Sequence, residues 1–149
     1  MTLSVRRLGS GDVAGLRAMN RLYRVAFDDE AHDVAPPSHD YARRILSDSK
    51  TIALVAEAEN AIVGALTAYV LPKLEQERSE IYLYDLAVAE THRRRGIATA
   101  LIDQLRRIAR ESGCWMIFVQ ADRVDEPAVA LYDKVGLGRE EPLHFDIEP

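Results

Sequence analysis

The feature that most constrains the fold is an arginine-rich, glycine-containing turn between a strand pattern and a helix pattern. Ser79 to Val88 predicts a strand, and Arg93 to Ala98 follows with the sequence Arg-Arg-Arg-Gly-Ile-Ala. Apolar residues then recur at helical spacing from Ile97 to Gly113, and Cys114 to Ala121 reads as a nearly continuous apolar, central strand. A strand, a turn, a helix and a second strand are therefore expected in that order.

The turn has the chemistry of a diphosphate site. A helix N-terminus carries unpaired backbone N–H groups and a partial positive charge, and a phosphate can use both. Gly96 allows the backbone to come close to a phosphate, Ala98 is nearly as small, and Arg93, Arg94 and Arg95 add positive charge. An ordinary surface loop is the alternative, which the strand–turn–helix order disfavours. The chain contains neither Walker nor dinucleotide-binding glycine patterns.

The remaining patterns predict one mixed α/β (α+β) domain over residues 1–149. Hydrophobic periodicity and turn residues give the following further elements: strands at Thr2–Leu8, Thr51–Glu57, Ala61–Leu71 and Leu143–Ile147, and helices at Ser10–Phe27, from Ser38 onwards and at Glu126–Val135. Glu59-Asn60 is expected to form a hairpin turn. Ser10 and Ser38 are expected to cap their helices, and Tyr41, Ile45 and Leu46 to share an apolar face.

Composition excludes several classes of protein. No apolar run is long enough to cross a bilayer and the first residues do not resemble a signal peptide, so a soluble cytoplasmic protein is expected. Cys114 is the only cysteine and the four histidines lack metal-ligand spacing, so no metal is expected. The net charge of −5 and the lack of a basic face disfavour nucleic-acid binding. Acidic residues cluster at 28–30, 122–126 and 140–148, as solvated surface or as a cleft for a cationic acceptor.

Two segments carry a resemblance to a known family. Arg93 to Ala98 fits the pattern Arg/Gln-x-x-Gly-x-Gly/Ala, and Ala128 to Gly136 reads Ala-x-x-Leu-Tyr-x-x-x-Gly. The chain therefore resembles the GCN5-related N-acetyltransferase superfamily. A closer resemblance to the type I aminoglycoside 3-N-acetyltransferases covers well over half of the chain and is weaker before Tyr41. The segments that carry it are Gly64–Lys73, Arg78–Val88, Gln120–Asp122, Asp125–Tyr132 and His144–Ile147.

The resemblance implies a fold and a donor. The fold is a central, mostly antiparallel sheet flanked by about four helices and splayed between the two strands that receive the pantetheine arm of acetyl-CoA. Leu86, Ala87 and Val88 match the strand that pairs with this arm, and Cys114 to Ala121 matches the opposite wall. The remaining positions assigned to acetyl-CoA are Arg93, Arg94, Arg95, Gly96, Ile97, Ala98 and Thr99.

Asp85 matches the family position for a catalytic base. In direct transfer, the acceptor amine must lose a proton before it attacks the thioester. An ordinary aspartate, with a pKa of about 4, is a weak base, so holding the ammonium group is its expected first role. Strict alternation puts Asp85 on the face opposite Tyr82 and Tyr84, unless a bulge intervenes. A structural role for Asp85 stays open, with Glu80 and Tyr82 as substitutes.

Tyr132 matches the family position for the general acid that protonates the departing CoA sulfur. Its place on an apolar helical stripe is equally compatible with core packing. The acceptor is expected to be a polycation, because several carboxylates are available to bind ammonium groups. The residues assigned to it are Tyr41, Glu80, Tyr82, Asp85, Asp122 and Asp146.

Three functions remain open at this stage. The resemblance implies an aminoglycoside 3-N-acetyltransferase that acts on gentamicin-like substrates at the amine on position 3 of the central ring. The same chemistry with a polyamine or a protein amine is the second, and a non-catalytic acetyl-CoA-binding module is the third. The presence of Asp85 and Tyr132 argues against the third. A homodimer is expected because members of the family often form dimers.

Overall fold

The computed structural model describes residues 2–28 and 35–149. The chain forms two compact units, Met1–Val119 and Gln120–Pro149, so the single domain stays a prediction. The first unit contains a five-stranded sheet and three helices. Its elements are β1 (Ser4–Arg7), α1 (Val13–Ala26), α2 (His39–Ser47), β2 (Thr51–Ala58), β3 (Ala61–Pro72), β4 (Ser79–Val88), α3 (Ile97–Glu111) and β5 (Cys114–Val119).

The sheet has the strand order β1-β2-β3-β4-β5. The first four strands pair antiparallel, and β5 runs parallel to β4 because α3 carries the chain back along the sheet. The predicted hairpin turn joins β2 to β3, with Glu59 at φ 55° and Asn60 at φ 63°. Positive φ at both central residues is typical of a two-residue turn whose twist matches that of its strands.

Helices cover both faces of the sheet. On one face, α1 and α2 pack Leu16, Met19, Tyr23 and Leu46 against small β2, β3 and β4 residues such as Ala87. On the other face, α3 buries the predicted stripe, which is Ile97, Leu101, Leu105, Ile108 and Ala109. In the described residues no helix has the length and the apolar character required to cross a membrane.

Gly64 sets the distance between α3 and the sheet. A Cβ on Gly64 would lie 2.7 Å from Cγ2 of Ile97 and 3.2 Å from Cδ1 of Leu101, closer than packed carbon atoms allow. Gly64 pairs with Val88, the last residue of β4, and Ile97 opens α3. The absence of a side chain at Gly64 therefore brings the first turn of α3 close to the end of β4.

We expect Gly64→Ala to destabilise the protein by about 1–3 kcal/mol, because overpacking forces neighbouring side chains out of their rotamers. Gly11→Ala is the matched control, since a Cβ there meets no atom within 4 Å. Chemical denaturation measures both free energies of unfolding. Equal stability of the two variants would show that α3 does not depend on the close approach at Gly64.

The second unit contains the fourth helix, α4 (Glu126–Val135). Asp125 caps it by accepting the Ala128 N–H at 3.2 Å. Gly136 ends it, with its N–H donating to the Tyr132 carbonyl at 2.8 Å. A Cβ on Gly136 would come within 2.8 Å of the same carbonyl oxygen, so the close contact requires glycine. The five-stranded, mostly antiparallel sheet and the four helices of the described residues confirm the predicted mixed α/β fold.

Two predicted strands differ from those observed. Leu143–Ile147 has no regular secondary structure, so the last predicted strand is wrong. The apolar strand ends at Val119 rather than Ala121, and it is an edge strand in the order of the sheet rather than a central one. Trp115 on this strand is 50% exposed. A continuous apolar run indicates two covered faces and carries no information about the number of hydrogen-bonded neighbours.

Two details of the predicted helices also differ. α1 is preceded by Asp12 rather than capped by Ser10. The Asp12 carboxylate accepts the Gly9 N–H at 2.8 Å and pairs with Arg6 at 3.1 Å, which closes the turn before the helix. Ser38 caps α2 as predicted, by accepting the Tyr41 N–H at 3.2 Å. Tyr41 itself is half-exposed, so it does not share the buried face of α2.

Candidate active site

The sheet opens where β4 continues past β5. The pairing of these two strands ends at Leu83 with Val119, whereas β4 runs on to Val88 beside β3 alone. The backbone groups of Tyr84 to Val88 that point away from β3 have no strand partner within the first unit. An extended, amide-bearing chain is the kind of ligand that such an edge can bind. Leu86, Ala87 and Val88, the predicted pantetheine-binding residues, lie on this stretch.

A β-bulge decides the direction of Asp85. Leu83 pairs with Ala68 and Asp85 pairs with Thr67, so Tyr84 is the additional residue on β4. The added residue shifts the alternation by one position. As a result, Asp85 lies on the same face as Tyr82 and Tyr84, and the conflict that strict alternation created is removed.

The Asp85 carboxylate is half-buried, and burial raises its pKa above the ordinary value. Among the described residues, no ion pair or hydrogen bond involves this carboxylate. Desolvation without a compensating partner makes a carboxylate a stronger base and favours a cation beside it. Asp85 therefore has both properties that binding and deprotonating an ammonium group require.

Glu80, the alternative carboxylate on β4, has a different environment. Its Oε1 pairs with Nζ of Lys73 at 3.1 Å, and Lys73 also lies 3.6 Å from Oε1 of Glu75. The side-chain hydrogen bond to Glu80, followed by the charges of Glu75 and Glu80, raises the pKa of Lys73. Because Lys73 offsets its charge, Glu80 is less available than Asp85 to an incoming ammonium group.

Tyrosines surround Asp85. Burial, followed by the charge of Asp85 and the proximity of Tyr84 and Tyr41, raises the pKa of Tyr69. Burial, then Tyr84 and Asp85, raises the pKa of Tyr82, whose ring stacks on Phe118 at 4.6 Å. The structure thus brings the predicted Tyr41 and Tyr82 towards Asp85.

Tyr69 and Tyr84 belong to the same group but were not assigned to the site from the sequence. Tyr69 lies opposite Tyr82 in the pairing of β3 with β4. Its ring contacts that of Tyr84 edge-on, with 5.8 Å between the centroids. The signal available in the sequence was the spacing Tyr82-x-Tyr84-Asp85, but the register that adds Tyr69 is not visible there.

A buried hydrogen bond supports the strand position opposite Asp85. The hydroxyls of Tyr23 and Thr67 lie 2.9 Å apart, and Thr67 pairs with Asp85 across the sheet. The Tyr23 ring stacks on Phe27 with 5.5 Å between the centroids. Helix α1 is therefore tied to β3 at Thr67, the residue that pairs with Asp85.

The arginine-rich turn has the backbone expected of a phosphate site. After β4, one 3₁₀ turn at Glu90–His92 leads to Arg94 at φ 61° and Gly96 at φ 77°. Ala100 donates to the Gly96 carbonyl at 3.0 Å, which begins the helix. The N–H groups of Ile97, Ala98 and Thr99 precede that bond and have no acceptor within α3. Apart from its two chain neighbours, no described residue has an atom within 4 Å of the Cβ position at Gly96, so the backbone there is open to a ligand.

The arginines of the turn differ in their contacts. Nε of Arg93 donates to the Val88 carbonyl at 3.3 Å, which folds the turn back on the end of β4. Arg94 and Arg95 are exposed beside the helix N-terminus. Arg93 is therefore partly a structural residue, whereas Arg94 and Arg95 are placed to add positive charge near a phosphate.

Three predicted site residues belong to the second unit, and their roles stay predictions. Asp122 is exposed, and its backbone carbonyl accepts the Asp125 N–H at 3.0 Å before α4. Tyr132 is half-buried on α4. Asp146 is exposed and pairs with His144, with 3.1 Å between Oδ1 and Nε2.

The remaining acidic residues add little. Asp28, at the end of α1, is exposed with φ 48°, and Asp29 and Glu30 lie outside the described residues. Within residues 2–28 and 35–149, no three His, Cys, Asp or Glu side chains are grouped to hold a metal ion.

A mostly antiparallel sheet that opens between β4 and β5, beside a glycine turn at a helix N-terminus, is the architecture of an N-acetyltransferase. Residues 16–137 match the model of the acetyltransferase (GNAT) family, and the chain belongs to this family. Enzymes of this family take the acetyl group from acetyl-CoA.

Solved structures extend the similarity over the whole chain. An aminoglycoside acetyltransferase, HMB0005, from an uncultured soil metagenomic sample is 51% identical, with a TM-score of 0.96 over 100% of this chain and 99% of that one. A second soil metagenomic aminoglycoside acetyltransferase, meta-AAC0020, in complex with sisomicin is 31% identical, with a TM-score of 0.92 over 99% of this chain and 96% of that one.

A curated relative is more distant. N-acetyltransferase 8 of Homo sapiens is 32% identical over 99 residues, which are 65% of this chain and 43% of the relative. The chain spans about half the length of the curated relatives that it matches first.

Proposed function

We propose that this chain is an acetyl-CoA-dependent aminoglycoside 3-N-acetyltransferase that acts on gentamicin-type substrates. The observation that carries the proposal is the half-buried Asp85 carboxylate, which has no partner among the described residues and lies among tyrosines at the point where β4 leaves β5. The identity of 51% to HMB0005 and the sisomicin complex of meta-AAC0020 support an aminoglycoside as the acceptor. The type I resemblance of β3 and β4 supports the amine at position 3.

On the donor side, the unpaired edge of β4 at Leu86, Ala87 and Val88 pairs with the pantetheine arm. The N–H groups at the start of α3 bind the pyrophosphate, together with the exposed Arg94 and Arg95. Bound acetyl-CoA supplies a thioester, whose acetyl group is transferred and whose sulfur leaves as thiolate. The residues proposed to bind it include every position assigned from the sequence: Leu86, Ala87, Val88, Arg93, Arg94, Arg95, Gly96, Ile97, Ala98 and Thr99.

On the acceptor side, Asp85 binds the ammonium group and accepts its proton, directly or through water. The neutral amine then attacks the thioester carbonyl, so that a C–N bond forms and the C–S bond breaks. Tyr132 donates its phenolic proton to the departing sulfur, and the second proton that the nitrogen loses on forming the amide restores the phenol through water. The other residues proposed to contact the polycation are Tyr41, Glu80, Tyr82, Asp122 and Asp146.

A polyamine or a protein amine is the second candidate acceptor. The same ammonium-binding carboxylate suits it, because polyamines and lysine side chains also carry ammonium groups. The similarity to N-acetyltransferase 8 supports N-acetyl transfer in general. A non-catalytic acetyl-CoA-binding module is the third candidate. The partly desolvated Asp85 disfavours it, because a module that only binds acetyl-CoA has no need of a half-buried carboxylate without a partner among the described residues.

A thiol-release assay with acetyl-CoA and a panel of amines tests the proposal. Gentamicin and sisomicin are expected to give the largest kcat/KM, spermidine and a lysine peptide much smaller values. Turnover of spermidine without turnover of any aminoglycoside would contradict the proposal in favour of the second candidate. In a susceptible bacterial host, expression of the chain is expected to raise the gentamicin concentration that stops growth.

We also propose that the chain forms a homodimer in which the segment Leu143–Ile147 of one copy pairs with β5 of the other copy. Five apolar side chains of the second unit are between 76% and 95% exposed: Val124, Leu137, Leu143, Phe145 and Ile147. Leu143, Phe145 and Ile147 alternate as on a strand with one apolar face, and β5 is the last strand of the sheet. An edge strand can pair with another chain, so a second copy suits this apolar segment.

Phe145→Asp is expected to weaken the dimer by about tenfold or more, because the interface would have to desolvate a charge. Val25→Asp, at an exposed apolar position on α1, is the matched control. Light scattering at graded concentrations measures the dissociation constants. A monomeric parent chain, or equal dissociation constants for the two variants, would contradict the proposal.

A further inference from the structure

We propose that Tyr69 and Tyr84 form a cation-binding wall that selects the acceptor by contact of its ammonium group with their ring faces. The inference rests on the proposed function and deepens it, by naming two residues that determine acceptor specificity. In this proposal the side chains of Tyr69 and Tyr84 neither bind acetyl-CoA nor transfer a proton.

The bulge in β4 creates this wall. Tyr84 is the additional residue, so it stands next to Asp85 on the same face instead of being turned to the opposite one. Tyr69 on β3 lies opposite Tyr82, and its ring meets Tyr84 at an angle of 80°, with 5.8 Å between the centroids. Two aromatic rings at right angles therefore border the carboxylate that has no partner among the described residues.

The two rings are accessible, unlike that of Tyr82. Tyr84 is 59% exposed and Tyr69 is 36% exposed. The Tyr82 ring is covered by Phe118, which stacks on it at 4.6 Å, and by Tyr84 at 5.4 Å. Tyr69 and Tyr84 thus present more of their ring faces to a ligand than Tyr82 does.

The charge of the site determines which ligand suits the wall. A carboxylate alone attracts any cation, whereas aromatic faces favour weakly hydrated organic ammonium groups over compact inorganic ions. Burial, followed by the charge of Asp85, raises the pKa of Tyr69, so the phenol stays neutral. In an amino sugar, the ammonium group is attached to a carbon ring. Its charge can pair with the Asp85 carboxylate while the neighbouring C–H groups contact the tyrosine rings.

Phenylalanine and alanine variants separate ring contact from hydroxyl contact. Tyr84→Ala and Tyr69→Ala are each expected to raise the acceptor KM by about 5- to 30-fold, with kcat and the acetyl-CoA KM unchanged. The corresponding Phe variants are expected to stay within about twofold of the parent chain, since the face of the ring is retained. Leu74→Ala is the control, because this fully exposed side chain lies in the turn between β3 and β4.

Tetramethylammonium provides a second readout, because it has no N–H to donate to a carboxylate. It is expected to inhibit competitively against the acceptor in the parent chain, and to inhibit Tyr84→Ala more weakly. Unchanged acceptor KM in both Ala variants, or Phe variants as impaired as the Ala variants, would overturn the inference. If the parent chain acetylates spermidine but no aminoglycoside, the proposed function fails, and the same variants measured with spermidine still decide the inference.

Discussion

Replacement of Asp85 by asparagine is expected to lower kcat by about 10²- to 10⁴-fold, the usual contribution of a general base. Asparagine is close in size to aspartate but neither carries the charge nor accepts the ammonium proton. The dissociation constant of acetyl-CoA is expected to stay unchanged, because the Asp85 side chain is not among the groups proposed to bind acetyl-CoA. Steady-state kinetics and calorimetric titration with acetyl-CoA give the two quantities.

Glu80→Gln is the matched control for Asp85→Asn. Both positions are carboxylates on β4, but Glu80 is already paired with Lys73 at 3.1 Å. Its replacement is expected to cost much less of kcat than that of Asp85. A larger loss for Glu80→Gln would make Glu80 the base, and equal losses of acetyl-CoA binding and turnover in Asp85→Asn would make Asp85 structural.

The Asp85→Asn variant is also expected to be more stable than the parent chain at neutral pH. Burial raises the pKa of Asp85, so the fold favours its protonated form. This stabilisation is complete below the unfolded-state pKa and is lost as the pH rises through the folded-state pKa, which leaves a costly ionised carboxylate at pH 7. Asp85→Asn therefore raises Tm at pH 7, and the difference between the two proteins shrinks as the pH falls through the raised pKa. A lower Tm at pH 7 would contradict a desolvated base.

Gly96→Ala is expected to weaken acetyl-CoA binding by about 10- to 100-fold. Gly96 has φ 77°, so a Cβ strains the turn that positions the first N–H groups of α3. Hydrogen bonds to charged groups are each worth about 1.5–3 kcal/mol, and about 1.4 kcal/mol is tenfold in affinity. If the strained turn moves enough to lose one such hydrogen bond to the pyrophosphate, the affinity falls by the expected amount.

Gly113→Ala matches the strain without touching the site. Gly113 ends α3 at φ 67°, and a Cβ there also meets no atom within 4 Å. Both variants are expected to lose similar unfolding free energy, whereas only Gly96→Ala loses acetyl-CoA affinity in calorimetric titration. Equal affinities in the two variants would show that the pyrophosphate does not bind at this turn.

The sequence predicts elements whose signal is local. The bounds of β4 and α4 match their predictions, because each begins and ends at turn or capping residues. The buried stripe of α3 follows from helical spacing alone. The strand predicted at Leu143–Ile147 is not observed. Its apolar residues alternate as in a strand, but a strand also needs a hydrogen-bonded partner, in the same chain or in another copy.

The site is predictable in part. Asp85 was identified by resemblance, but its direction depends on a bulge at Tyr84, which is a property of the pairing between β3 and β4. Tyr69 joins the site only through that register. Glu80 is a substitute candidate in the sequence, and its pairing with Lys73, seven residues away on the other side of a turn, is visible only in three dimensions.

The most direct test is the stoichiometry and position of acetyl transfer. The chain is incubated with acetyl-CoA and gentamicin, the released CoA thiol is counted, and the product is examined by mass spectrometry and NMR. One monoacetylated gentamicin for each thiol, with the acetyl group on the amine at position 3 of the central ring, is the predicted result. Thiol release without acetylated gentamicin, or acetylation at another amine, would contradict the proposed function.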